Sequence, residues 1–111
     1  MIVVILCAAP TANAGPFDPP SHAEVKACAQ RGGTYERRFQ INVCIYPYSD
    51  GGKTCSDDSQ CKGGCLADTR HMTHAPKRGE RVTGLCRPTS DGFGCSTHVK
   101  NGRAQETMCI N

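Results

Sequence analysis

The chain has 111 residues, nine of them cysteine, no tryptophan, and a formal net charge of +3 with both signs mixed along its length. That length holds one domain, and so few large apolar side chains exclude a hydrophobic core sufficient on its own. The modest charge balance argues against nucleic acid as a partner and leaves weak attraction to anionic envelope surfaces or to an acidic protein.

The N-terminus sets the redox state of everything after it. Ile2 to Ala9 is an apolar stretch, followed by Pro10 and the small-x-small triplet Ala12-Asn13-Ala14. Residues 1–14 therefore read as a signal peptide cleaved after Ala14. The stretch is too short to cross a bilayer as a helix, so the mature chain is expected to have no transmembrane segment. No Lys or Arg follows Met1, which leaves the true start codon open. Cys7 follows the bulky Leu6 and does not make a lipid-attachment site. The mature protein is expected to be exported, periplasmic or extracellular.

Cleavage removes Cys7 and leaves Cys28, Cys44, Cys55, Cys61, Cys65, Cys86, Cys95 and Cys109. An even number is what a fully paired exported domain requires. The mature chain holds only twelve Leu, Ile, Val and Phe residues, below the roughly one-fifth under which uncrosslinked chains tend to be disordered. Bridges closing loops of about 15 residues each contribute about 3 kcal/mol by restricting the unfolded chain.

In chain order, residues 15–20 are a Pro-rich flexible lead, and 21–111 form a single disulfide-stapled domain. Ser21-His22-Ala23-Glu24 is a capping box opening a helix over about 21–31. Val25, Cys28 and Ala29 form its inner face, and Gly32-Gly33 ends it. Thr34 to Tyr46 alternates as a strand, with Ile41, Val43 and Ile45 on one face and Asn42 and Cys44 on the other. A turn near Gln40 would split it into a hairpin, although no Gly or Pro marks one. Ser49 to Gly52 is a turn. Gly63-Gly64 allows the tight backbone that the closely spaced Cys55, Cys61 and Cys65 need. A long polar loop, Ala67 to Glu80, leads to a strand over 81–86.

Residues 95–109 read as a closing hairpin around Asn101-Gly102. A two-residue loop places Cys95 opposite Met108. A three-residue loop with Gly102 as a bulge pairs Lys100 with Ala104 and brings Cys95 opposite Cys109, where the two can bond. The bulged turn and a Cys95–Cys109 bridge are the expectation. Eight cysteines allow 105 connectivities. Proximity in sequence points to Cys28–Cys44, Cys55–Cys65 and Cys61–Cys86 for the rest.

The segment Cys28-Ala29-Gln30-Arg31-Gly32-Gly33, the segment Asp50-Gly51-Gly52-Lys53-Thr54-Cys55 and Phe93-Gly94-Cys95 together resemble an uncharacterised set of small exported Cys-rich bacterial proteins. The resemblance covers most of the mature chain and implies no activity. Lys53, Cys55, Asp58 and Cys61, in the spacing Lys-x-Cys-x-x-Asp-x-x-Cys, also resemble whey-acidic-protein-type protease inhibitors over about a dozen residues. The adjacent cysteine pair of that family is absent, so no inhibitory loop is carried over.

The residues offer four kinds of chemistry. His71 and His74, two imidazoles three residues apart, could hold copper or zinc with His22 or His98 completing the site; loop histidines facing solvent are the plainer reading. Asp50, Asp57, Asp58 and Asp68 crowd mid-chain without the spacing of a calcium loop and fit turn residues. A Ser–His–Asp set could be drawn from Ser56 or Ser96, His98 and Asp91, but no Gly-x-Ser-x-Gly turn, Cys-x-x-Cys or free thiol supports catalysis. Binding remains: a rigid frame presenting the 67–80 loop, with Arg70, His71, Met72, His74, Lys77 and Arg78 as the contact residues. The expectation is a small disulfide-rich α+β fold with one N-terminal helix, a small antiparallel sheet and much loop. Its expected function is that of an exported, non-catalytic binding or inhibitory module without cofactor, acting on a protein or envelope component. A histidine-based metal-binding protein is the first alternative. A small hydrolase is the second, to be recognised by a cleft holding His98 with a carboxylate.

Overall fold

A computed structural model describes residues 15–110; the expected signal peptide lies outside the described residues. The elements are helix α1 (His22–Gln30), strands β1 (Thr34–Arg38), β2 (Ile41–Ile45) and β3 (Thr54–Cys55), a 3-10 turn (Asp58–Gln60), and strands β4 (Cys65–Ala67), β5 (Gly84–Cys86), β6 (Gly94–Lys100) and β7 (Arg103–Ile110). This is a small disulfide-rich α+β fold. Its strands form two antiparallel sheets rather than one, β1-β2 and β3-β5-β4-β6-β7.

The capping box closes as the sequence requires. Ser21 Oγ accepts from Glu24 N–H, and the Glu24 carboxylate accepts from Ser21 N–H. Gly32, at φ 75°, stops the helix. The inner face is narrower than the spacing predicted. Cys28 is buried, whereas Val25 is 46% exposed and Ala29 is exposed. One disulfide to Cys44 fixes this short helix, so it needs no broad apolar stripe.

The Thr34–Tyr46 stretch splits into the β1–β2 hairpin. Its turn residues Phe39 and Gln40 stand at φ 48° and 70°, nearly the angles of Asn101 and Gly102 (52° and 73°) in the β6–β7 turn. Asn-Gly accepts that conformation cheaply, and Phe-Gln does not. The expected result of Phe39→Asn with Gln40→Gly is therefore a stabilisation of about 1 kcal/mol, net of the lost Phe39–Phe93 ring contact, and a rise in Tm of roughly 4–8 °C by calorimetry. The lead before the helix is not free. The Asn42 amide donates to the Pro16 carbonyl and its side chain to the Asp18 carbonyl, because the outer edge of β2 offers unpaired groups that the lead can satisfy.

Residues 46–48 and 88–93 join the two sheets. Tyr46 and Ser90 exchange hydrogen bonds, Tyr48 N–H donates to the Pro88 carbonyl, and Arg38 pairs with Asp91. Arg81 lies outside β5 and makes only an isolated bridge to Arg103, so the expected 81–86 strand is reduced to Gly84–Cys86.

The four bridges are Cys28–Cys44, Cys55–Cys65, Cys61–Cys86 and Cys95–Cys109, the same pairs as those read from the sequence. The last hairpin corrects the route to its bridge. Lys100 pairs with Arg103 across a two-residue Asn101-Gly102 turn, and Val99 pairs with Ala104. The extra residue lies in β7 instead, where Gln105 and Glu106 together oppose His98, and this restores Cys95 opposite Cys109. Both residues of the turn adopt positive φ, so the tightest loop forms and the bulge moves into the strand.

The core consists largely of cystine sulfur. Cys55, Cys65, Cys86 and Val99 cluster in the five-stranded sheet, with Ala104 also buried. Val99, Ala104 and Cys65 have no exposed surface at all.

Candidate functional site

The outer face of the same sheet carries the groups with chemistry. Side chains alternate along β6, so Thr97 and Val99 are buried while His98 and Lys100 point the other way. His98 is positioned by register, facing Leu66 of β4 on one side and the bulge of β7 on the other.

His98 Nδ1 lies 2.7 Å from Asp58 Oδ1, and the same oxygen accepts the Cys65 amide at 2.9 Å. A carboxylate acceptor places the ring proton on Nδ1 and leaves Nε2 as the nitrogen available to chemistry. Asp58 sits in the loop closed by Cys55–Cys65 and tied to β5 by Cys61–Cys86. Gly64 completes the packing. At φ 93°, a Cβ there would lie 3.0 Å from His98 Cε1 and 3.2 Å from Asp58 Oδ1, so glycine is what lets the ring and carboxylate close over this turn.

An open cleft of about 360 Å³ lies over this pair, lined also by Arg78, Lys100, Glu106 and Met108. Arg78 arrives from the long loop. Glu106 arrives through the bulge, which puts two side chains of β7 where a regular strand would put one. Neither Glu106 nor the Asp58–His98 pairing was singled out from the sequence. The available signal for Glu106 was the extra residue that a Cys95–Cys109 bridge requires.

The second open face, about 480 Å³, is formed by the 67–80 loop with His71, Met72, His74 and Glu80. The loop has a defined shape. Asp68 pairs with Arg70, His74 Nε2 lies 2.9 Å from Glu80, and the Lys77 amide donates to Glu80 at 3.0 Å. Gly79 and Glu80 exchange backbone bonds with Ala104, which fastens the loop to β7. Of the six contact residues expected, His71, Met72 and His74 line this face. Arg70 is spent on Asp68, and Arg78 belongs to the His98 cleft.

The same geometry places the residues of the remaining readings. The triad drawn from Ser56 or Ser96, His98 and Asp91 is not assembled, because strand order takes His98 to Asp58 while Asp91 pairs with Arg38. His74 is directed to Glu80, and His98 is committed to Asp58. Among the described residues, one group of three residues able to ligate a metal lies close together, Cys55, Cys61 and Cys86, and disulfides hold its sulfurs. The mid-chain aspartates are turn residues with separate partners. Asp50 accepts from the Lys62 amide, and Asp57 accepts from Ser59 and from the Asn101 amide.

These bonds set the acid response. The Ser59 hydroxyl and amide hold Asp57 down to about 2 from an ordinary 3.8, and the Arg70 guanidinium holds Asp68 down to about 2. A carboxyl depressed in the folded state stabilises it above its unfolded value and loses that contribution as it takes up a proton. The expected result is that these two carboxylates contribute fully above their ordinary value of 3.8 and lose that contribution as pH falls toward about 2. Asp57→Asn should flatten part of that slope in denaturant titrations at successive pH values.

No protein-family model matches the chain, no curated protein matches it, and no solved structure matches it. Among the described residues no helix is long and apolar enough to cross a membrane. With four disulfides, this accords with a chain handled in an oxidising compartment.

Proposed function

We propose that the protein is an exported, non-catalytic binding module that engages a protein or envelope component through the face formed by the 67–80 loop. One observation carries the reading: the loop is fastened in place by Gly79, Glu80 and Ala104 while His71 and His74 stay exposed. A loop already ordered loses little conformational freedom on binding. Disulfides supply the rigidity that the thin core cannot.

The test compares the oxidised protein with its His71→Ala/Met72→Ala/His74→Ala variant as immobilised baits for exported proteins of the producing cell. A species retained by the parent and reduced about tenfold by the variant supports the reading. The same species should be unaffected by Lys26→Ala on the distant helix. Retention that ignores the loop substitutions overturns it.

A second reading, a small hydrolase, is favoured by one specific observation. His98 and the Asp58 carboxylate line one open cleft, and this arrangement supports the reading.

A further inference from the structure

Three cations stand in a row across the end of the five-stranded sheet. Lys100 faces Arg103 across the β6–β7 turn, and Arg103 faces Arg81. Directly opposed residues share a face, and like charges so placed are destabilising. None of the five ion pairs among the described residues relieves them or Arg78. The row adjoins the His98 cleft, because Lys100 belongs to both. The row has no close ion pair among the described residues, although Arg103 donates to the Gly79 carbonyl and Lys100 acts on Asp57; cations so placed beside an acid–base pair match a ligand carrying repeated negative charge.

The cleft contains a carboxylate separate from the one holding His98, namely Glu106, and two cations, Arg78 and Lys100. No hydroxyl or thiol is among its lining residues, and the eight described cysteines are bridged. With Glu106 and His98 given to acid–base roles and Asp58 to holding the ring, a reaction here draws its nucleophile from water or from the substrate itself. Resting on the hydrolase reading, we propose that this cleft cleaves ribonucleic acid phosphodiesters, whose 2′-hydroxyl supplies that nucleophile. Glu106 takes the 2′-hydroxyl proton, and O2′ bonds to phosphorus. The phosphorus–O5′ bond breaks, and His98, entering the step as the imidazolium with its Nδ1–H held by Asp58, gives its Nε2 proton to the departing O5′. The products are a 2′,3′-cyclic phosphate and a free 5′-hydroxyl. Proton exchange with water restores both groups. Arg78 and Lys100 hold the non-bridging oxygens. Asp58 is a positioning residue that fixes the imidazole, as the β-bulge fixes Glu106 opposite it.

The experiment uses the oxidised protein and a fluorogenic oligodeoxynucleotide containing a single ribonucleotide, with an all-deoxy oligonucleotide as control. Cleavage at the ribonucleotide is expected, leaving a cyclic phosphate identifiable by mass, while the control stays intact. His98→Ala and Glu106→Gln, purified in parallel, should each lower the rate about 100-fold. Lys100→Ala should act mainly on KM, and Asp58→Asn should lower kcat with KM little changed. Glu106 is exposed, so its variant reports even where His98→Ala does not fold. Equal rates for parent and Glu106→Gln, or cleavage of the all-deoxy strand, overturn the proposal. His98-dependent hydrolysis of p-nitrophenyl esters without cleavage of the ribonucleotide overturns it but keeps the hydrolase reading. Loss of both activities removes both.

Discussion

Gly84→Ala is expected to prevent the protein from accumulating in its native disulfide form. A Cβ at Gly84 would lie 2.2 Å from Cys65 Sγ, 3.0 Å from Cys55 Sγ and 3.0 Å from the Cys55 carbonyl oxygen. Nothing there can yield cheaply. The two sulfurs are bonded to each other, and Cys65 is fully buried beside Val99. The added methyl must push the bridge off the sheet or part β5 from β3, where Cys55 pairs with Gly84. Overpacking of this kind costs about 3 kcal/mol, a large share of the roughly 5 kcal/mol expected for a domain of this size with so thin a core. The check is a chromatographic count of oxidised isomers after refolding, followed by the guanidinium midpoint of the native isomer. Gly92→Ala is the control, since its methyl would meet only the end of the Arg87 side chain, at 3.3 Å, and no backbone or bridged sulfur. A Gly84→Ala chain as well oxidised and as stable as that control would show that the bridge does not pack over this strand as described.

The reason Gly84 matters also marks the limit of what the sequence discloses. The helix was legible because a capping box and a Gly-Gly stop act within ten residues of each other. Only the Cys95–Cys109 bridge was legible from register; the other three pairs rest on nearness in sequence, with partners 10 to 25 positions apart, although closer cysteines such as Cys61 and Cys65 are not joined. The bulge was only half legible. The spacing of Cys95 and Cys109 demands one extra residue somewhere in the hairpin, but parity cannot say where. Asn101-Gly102, by taking the tightest turn, sent it to Gln105 and Glu106. The Phe39-Gln40 turn was hidden for the opposite reason. Neither residue favours positive φ, and the conformation is imposed by the register of β1 on β2, with Tyr35 opposite Cys44, and by the bridge from Cys44 to the helix.

The candidate site shows the same division. His98 and Asp58 were each noticed in sequence, but in separate arguments, one for a triad and one for calcium. They lie 40 positions apart, and only the pairing of β4 with β6 brings them together. Net charge hides a comparable detail. A sum of +3 describes a weakly charged chain, whereas the fold gathers Arg81, Lys100 and Arg103 into one row and sends several acids elsewhere, Asp91 to Arg38 and Asp68 to Arg70. Partner chemistry is read from local charge, which is a property of register and not of composition.

The Cys61–Cys86 bridge joins stability to that site, and removing it should affect both. It closes the largest loop of the four, with a separation of 25, so Cys61→Ala/Cys86→Ala is expected to cost about 3.5 kcal/mol from chain entropy. Cys86 is buried in the core cluster, so the lost packing adds to this figure. The matching double substitution at Cys95 and Cys109 should cost less. Its loop is shorter, with a separation of 14, and both cysteines are exposed at the end of the hairpin. The two variants also separate by what happens at His98. Cys61 follows the 3-10 turn that carries Asp58, and its bridge is what ties that turn to β5. Without it, Asp58 keeps the Cys65 amide but loses its fixed distance to His98. The His98 Nδ1–H resonance should then broaden or vanish in the Cys61/Cys86 variant and persist in the Cys95/Cys109 variant. Denaturant midpoints with nitrogen-15 spectra of the imidazole read both effects in one set of samples. A Cys61/Cys86 variant that loses stability while His98 keeps its resonance would assign the placement of Asp58 to Cys55–Cys65 and the Cys65 amide alone.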